Sequence, residues 1–312
     1  MNNRKADTKR LFSFDQEAQK WSDLYESGDN VLDYHFILRR NAAYRYTARH
    51  LSKNKKILDL GCGAGVFAQA ALENGYRIDC VDMSADMLKL AGQRLEKYLP
   101  DNCGLFNAES EKLPFREHSY DAVVCLGMFG YLDNVDAALA EIHRVLKPGG
   151  LLILSVRNRR NQYVFDPVRL PKKFLYHIPL KTLRRVKRIL FGRHSKSVSP
   201  AETLDRTQGL ATKKFNIDIL DSPSNLTKGV KNHSFSLTDF MGLGYGPLCF
   251  NNKQIVSSKF AIKMSDFLSR LFAAIRIQGF TRWFADISIY VFTKASGEEA
   301  EVTQYPLKSQ ST

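Results

Sequence analysis

At 312 residues the chain has room for one large α/β domain with additions, or for two small domains. Its 44% hydrophobic and 25% charged residues are those of a globular protein, and no apolar run approaches the ~20 residues that span a bilayer, which excludes an integral membrane protein. The formal net charge of +14 is concentrated: Arg157 to Pro200 holds thirteen Lys or Arg against one acid, Asp166, so the rest of the chain is nearly neutral.

Five cysteines (62, 80, 103, 125 and 249) form no C-x-x-C pair and no metal-ligand spacing with histidine, so no metal is expected and reduced thiols in a cytoplasmic setting are. The basic start, Met1 to Arg10, leads into no apolar segment of the secretory kind.

Residues 1–50 read as a polar tail followed by a helical cap: Phe14–Trp21, a Ser27-Gly28-Asp29-Asn30 break, then a helix from Val31 to Leu51. Residues 51–156 alternate strand and helix, the pattern of a parallel sheet covered on both faces. Strands are predicted near 56–60, 77–81, 103–107, 120–126 and 150–156, and helices near 66–74, 84–98 and 135–146. Pro148-Gly149-Gly150 is expected to end the last helix and turn into the apolar run 151–156.

The organising stretch is Ile57-Leu58-Asp59-Leu60-Gly61-Cys62-Gly63-Ala64-Gly65. Glycines at 61, 63 and 65 permit positive φ and close approach of a ligand to the backbone. The helix that follows presents unpaired N–H groups to that ligand. A dinucleotide fingerprint requires glycine at 66, where Val66 stands, so a dehydrogenase is disfavoured. Arg77-Ile78-Asp79-Cys80-Val81-Asp82 is a second strand ending in a carboxylate beside the loop, placed to accept hydrogen bonds from ribose hydroxyls. Ser84 then N-caps the next helix.

Residues 157–230 break the alternation as a basic insertion, either a lid or a membrane-docking segment. Leu180 to Phe191 has helical periodicity, with an apolar arc opposite Lys181, Arg184, Arg185 and Arg188. Such a helix lies on an anionic membrane surface, covers a partner or grips a polyanion. In 231–294, His233 to Phe240 reads as a capped helix leading to a Gly242–Gly246 turn, 255–276 as a further helix, and Asp286 to Phe292 as a last strand. Residues 295–312 read as a flexible tail.

The acidic strand with its G-x-G-x-G turn, Asp82, Asn107-Ala108-Glu109, Leu113-Pro114-Phe115, Tyr120 to Cys125 and Glu141 to Gly150 together resemble class I S-adenosylmethionine (SAM) methyltransferases. The likeness is to the small-molecule group that includes the ubiquinone/menaquinone and sterol C-methyltransferases. The resemblance implies a Rossmann-like α/β fold with a seven-stranded, mostly parallel sheet, helices on both faces and a last strand inserted antiparallel. It further implies that Gly61, Gly63 and Gly65 face the methionine and ribose of SAM, that Asp59 supports the amino end, and that Asp82 binds the ribose. Met83 would lie on the adenine, Asn107 accept from its amino group, the Ala108 backbone serve a ring nitrogen, and Leu126 approach the sulfonium.

Relatives often carry a histidine after the fourth strand, but here the chain reads Met128-Phe129-Gly130-Tyr131, so no catalytic base is identified. Tyr131 is a candidate to orient an acceptor, or a wall residue. His233 is a candidate for the substrate cleft, or a cap. The absence of an Asn-Pro-Pro-Tyr element argues against nucleobase amine methylation.

The expected function is methyl transfer to an O or C nucleophile of a small-molecule acceptor, lipid-soluble or lipid-linked: a quinone precursor, a glycolipid or a lipid-linked saccharide. The protein is expected at the inner membrane surface through residues 180–191. The alternatives are an RNA methyltransferase gripping phosphates with the insertion, and a SAM-binding scaffold without catalysis. Nucleic acid is the disfavoured partner.

Overall fold

The computed structural model describes residues 18–19, 22–23, 31–132, 134–157, 223–245, 249–250, 253–254, 257–274, 285 and 287–296. The basic amphipathic segment 180–191 and most of the insertion lie outside the described residues, as does the 1–17 tail. The elements in chain order are α1 (Val31–His50), β1 (Lys56–Leu60), α2 (Val66–Glu73), β2 (Arg77–Asp82), α3 (Ala85–Leu95), β3 (Cys103–Asn107), β4 (Tyr120–Leu126), α4 (Val135–Val145), β5 (Leu146–Arg157), α5 (Pro223–Lys231), β6 (Phe235–Leu243), β7 (Cys249–Phe250), β8 (Lys253–Gln254), α6 (Ser258–Ala274) and β9 (Ile287–Lys294).

Seven strands form one sheet in the order β3-β2-β1-β4-β5-β9-β6, and β7 pairs with β8 separately. Strands β1 to β5 are parallel, and β9 runs antiparallel to both of its neighbours, β5 and β6. The chain reverses its winding after β3, so β2 and β3 lie to one side of β1 and β4 and β5 to the other. A crevice at the carboxyl ends of the strands follows from that reversal.

Side chains alternate across the sheet. Leu58, Leu60, Val123, Cys125, Leu152 and Leu154 join Tyr290 and Phe292 on one face, under Leu139 and Ile142 of α4 and Leu226 and Val230 of α5. Ile57, Ala122, Val124, Ile153, Ile289 and Val291 occupy the other, under Ala42, Ala43 and Tyr46 of α1 and Phe67, Ala68 and Ala71 of α2. The central strands are buried on both faces, which is why they read as continuous apolar runs.

The Glu141 to Arg144 portion of the motif is a staple. Glu141 accepts from the Leu113 N–H at 2.8 Å, and Arg144 donates to the carbonyls of Phe115 and Leu113 at 2.7 and 3.1 Å. The two side chains also bond each other at 2.7 Å. The segment after β3 is thereby tied to α4, and Phe115 packs edge-on between Phe106 and Tyr120.

Buried Lys294, at the end of β9, donates to the carbonyls of His143 and Leu146 at 2.7 Å each, satisfying acceptors where α4 becomes β5. Lys294→Met strands both carbonyls and is expected to cost about 2–3 kcal/mol of stability, read from the urea midpoint with the slope unchanged.

Two sequence expectations are corrected. His233 to Phe240 is not a capped helix: Phe235–Leu243 is strand β6. On the α4 side its residues are Phe235, Leu237 and Phe240, and Leu243 joins the opposite core, because a bulge between Leu237 and Asp239 advances the phase by one residue. That slip turns an alternating pattern into one with a helical look. Pro148-Gly149-Gly150 also does not precede the strand. β5 begins at Leu146, and the proline–glycine segment bulges out between Tyr120↔Leu146 and Ala122↔Leu151.

Candidate active site

The glycine loop sits at the carboxyl end of β1. Gly61, Gly63 and Gly65 all take positive φ, of 72°, 52° and 73°. Gly65 is the N-terminal cap of α2 without a side-chain partner for the helix N–H groups. The loop is fastened to β2: the Gly61 and Cys62 N–H groups donate to the Val81 carbonyl at 2.8 and 3.1 Å. A Cβ on Gly63 would meet only the Met87 sulfur, at 3.9 Å, so open space lies above the turn.

Asp82 holds the arrangement together. Its Oδ2 accepts from the Gly63 N–H and its Oδ1 from the Ser84 N–H, each at 2.9 Å. One carboxylate thus fixes both the glycine loop and the turn into α3, where Ser84 caps through Met87 N–H at 3.2 Å. Asp59 lies within the sheet, 2% exposed, and its Oδ2 has no hydrogen-bond partner among the described residues. Burial first, and then the nearby charge of Asp82, push its carboxyl up to about 8.

Asn107 ends β3, and its side-chain amide donates to the Asp82 carbonyl at 3.0 Å. The Ala108 N–H, expected to serve a ligand nitrogen, donates to that same carbonyl at 3.3 Å. Met83 is 42% exposed beside them. Leu126 ends β4 opposite Ser155 of β5. Tyr131 lies in a short 3-10 turn, Phe129–Tyr131, and its N–H donates to the Met128 carbonyl at 2.8 Å.

These residues gather along one edge of the sheet, but His233 does not join them. It precedes the amino end of β6, away from the glycine loop, and its Nε2 lies 3.1 Å from Asp136 Oδ1.

Two side chains that the sequence did not single out do reach this edge, both from α1. The Arg39 guanidinium lies where a Cβ on Gly127 would project, just past β4, and Gly127 has φ of 82°. The buried His35 imidazole lies 2.7 Å from the corresponding position of Gly244, just past β6, with φ of 71°. Ser155, on the same face of the sheet as Asp59, is buried, and its hydroxyl has no partner among the described residues. Paired glycines at strand ends were the available signal, but nothing local links them to side chains 88 and 209 residues earlier. Met128 completes the wall: its Cβ and sulfur come within 3.0 Å of the position a Gly61 Cβ would take. Among the described residues no cluster of three or more metal-ligating side chains occurs.

Residues 58–154 match the family model described as "Methyltransferase domain". The chain is 26% identical to the ubiquinone biosynthesis O-methyltransferase of Hydrogenovibrio crunogenus, over 67% of this chain and 82% of that one. It is 34% identical to the demethylmenaquinone methyltransferase of Lactiplantibacillus plantarum over 38% of this chain, and so spans about half (52%) of that relative's length. The crystal structure of magnesium protoporphyrin IX methyltransferase from Synechocystis with bound SAH aligns at a TM-score of 0.51 and 14% identity, covering 93% of this chain and 100% of that one, a likeness of fold.

Sheet order, glycine loop and family match define a class I SAM-dependent methyltransferase domain, with SAM as its cofactor. Within that class the chain is similar to the ubiquinone and menaquinone methyltransferases.

Proposed function

We propose that this chain methylates an oxygen or carbon nucleophile of a small, lipid-soluble or lipid-linked acceptor, such as a quinone precursor. The observation that carries the reading is the pairing of two arrangements at one sheet edge. Asp59, the glycine loop and Asp82 form a cofactor cradle, and α1 closes the neighbouring strand ends with His35 and Arg39. The names of the quinone-pathway relatives support the acceptor class.

SAM, when bound, supplies an electrophilic methyl group on a sulfonium. Asp82 would hold the ribose hydroxyls with the same carboxylate that shapes the loop, and Asp59 would take the amino end. The Gly63 backbone would allow close approach, Met83 would cover the adenine, and Asn107 would meet its edge. Leu126 and Met128 exclude water between donor and acceptor. Arg39 lowers the pKa of an acceptor hydroxyl by its positive charge, keeping more of it as the nucleophilic anion. The His35 imidazole is placed to take the displaced proton. Arg39→Met is expected to lower methyl transfer by about tenfold or more with SAM affinity within about twofold, separating an acceptor role from a cofactor role.

The test is incubation with SAM carrying a labelled methyl group and a whole-cell extract, followed by separation of organic, nucleic-acid and aqueous fractions. Label is expected in the organic phase. Label in RNA would overturn the acceptor class, and SAM binding without transfer to any fraction would favour a non-catalytic SAM-binding protein.

A further inference from the structure

Helix α6 packs inward through one face. Ala261 and Ser265 are fully buried, the Ser265 hydroxyl accepts from the Tyr245 N–H at 3.0 Å, and Phe272 lies edge-on to the Tyr245 ring at 5.0 Å. Its outer face is unlike an ordinary solvated one. Phe260, Phe267 and Leu271 are 54%, 62% and 38% exposed, all well above what large apolar side chains show in a core. Spaced i, i+7 and i+11, they fall within roughly 40° of arc and form a continuous stripe. Exposed Lys259, Lys263 and Arg270 lie along one flank of that stripe. The acid on that side, Asp266, is bonded to Arg270 at 2.9 Å and to Tyr34 of α1.

An apolar stripe bordered by cations is the arrangement of a helix lying in a membrane interface, with rings among the acyl chains and ammonium groups at anionic headgroups. We propose that this face of α6 docks the protein on an anionic lipid surface, an inference that rests on the lipid-soluble acceptor proposed above. Charge selects this occupant: Lys259, Lys263 and Arg270 border the stripe with Asp266 as the acid on that side, so a second copy meeting it face to face would set like charges together. The inner side of α6 is fastened beside Gly244, against which His35 packs. Docking through the outer side therefore sets the acceptor side of the sheet edge close to the bilayer.

The test is flotation of the full chain with phosphatidylcholine vesicles, with and without phosphatidylglycerol. Wild type is expected to float with the anionic vesicles only, and less as salt is raised. The double variant Phe260→Glu/Phe267→Glu is expected to bind at least about tenfold more weakly, since each buried ring contributes a factor of that order. Lys259→Glu/Lys263→Glu is expected to weaken binding and flatten its salt dependence. SAM affinity serves as the folding control in each variant.

Unchanged flotation of the double variant would overturn the inference, as would loss confined to Arg184→Glu/Arg185→Glu/Arg188→Glu. A wild-type dimer that Phe267→Glu converts to a monomer would assign the stripe to a second copy instead. A wild-type chain that fails to float with anionic vesicles while label still enters the organic phase removes this docking face alone. Flotation intact with label in RNA removes the acceptor class, and with it the premise of the docking proposal.

Discussion

Asp82→Ala is expected to weaken SAM binding on the order of a hundredfold, and methyl transfer with it, as measured by equilibrium dialysis. Two effects combine. The ribose loses charge-assisted hydrogen bonds worth together roughly 3 kcal/mol, and the Gly63 and Ser84 N–H groups lose the acceptors that hold the loop and the α3 turn in register. Asp82→Asn is expected to be no rescue. Both carboxylate oxygens accept from a backbone N–H, so an amide must point its NH2 group at one of two donors. The fold should survive, because the sheet and both cores lie beneath the loop; an unchanged circular-dichroism spectrum would verify that. Retained affinity in either variant would place the cofactor elsewhere.

Asp59→Asn is expected to reshape the pH dependence of both stability and binding. With its carboxyl raised to about 8, the folded apoprotein keeps a proton between roughly pH 4 and 8 that the unfolded chain has released. Stability from this group is therefore fully present below about pH 4 and declines as pH rises toward 8, by up to about 1.4 kcal/mol per pH unit. The asparagine variant lacks that decline, so its stability relative to wild type should improve with rising pH. Cofactor binding runs the other way. A cationic amino group favours the ionised acid, so wild-type SAM affinity should tighten from about pH 6 toward 8, with proton release. In Asp59→Asn it should be weaker and nearly pH-independent. Calorimetry in buffers of different ionisation enthalpy, with urea titrations at matched pH, measures both.

The parallel half of the fold was legible because its physics is local. β1, β2 and β4 are short apolar segments bounded by glycine or by a helix cap, and strands buried on both faces leave little polar alternation to confuse the reading. The glycine loop was legible for the same reason: G-x-G-x-G behind an acid has few uses, and the three positive φ angles agree with it. β6 was not, since one bulged residue moved Phe240 into the phase that Asp239 would have held, and Ser236 and Thr238 imitated a helix start. His35 and Arg39 were not legible either. They lie in the expected cap helix with no motif to mark them, and only the assembled sheet sets Arg39 against Gly127 and His35 against Gly244. Nor was the outer stripe of α6, because helical spacing alone does not show that Ser265 and Ala261 mark the face turned inward. The basic insertion dominates the charge pattern, and the docking expectation for residues 180–191 lies outside the described residues.

A crystal structure with SAH bound tests the cofactor site most directly. The expected result is SAH at the carboxyl edge of β1 and β2, its ribose hydroxyls on Asp82, its amino group on the Asp59 Oδ2 that has no partner among the described residues, and its sulfur facing Leu126 and Arg39. SAH found away from Asp59 and Asp82, or with its sulfur turned from the α1 side, would contradict the assignment.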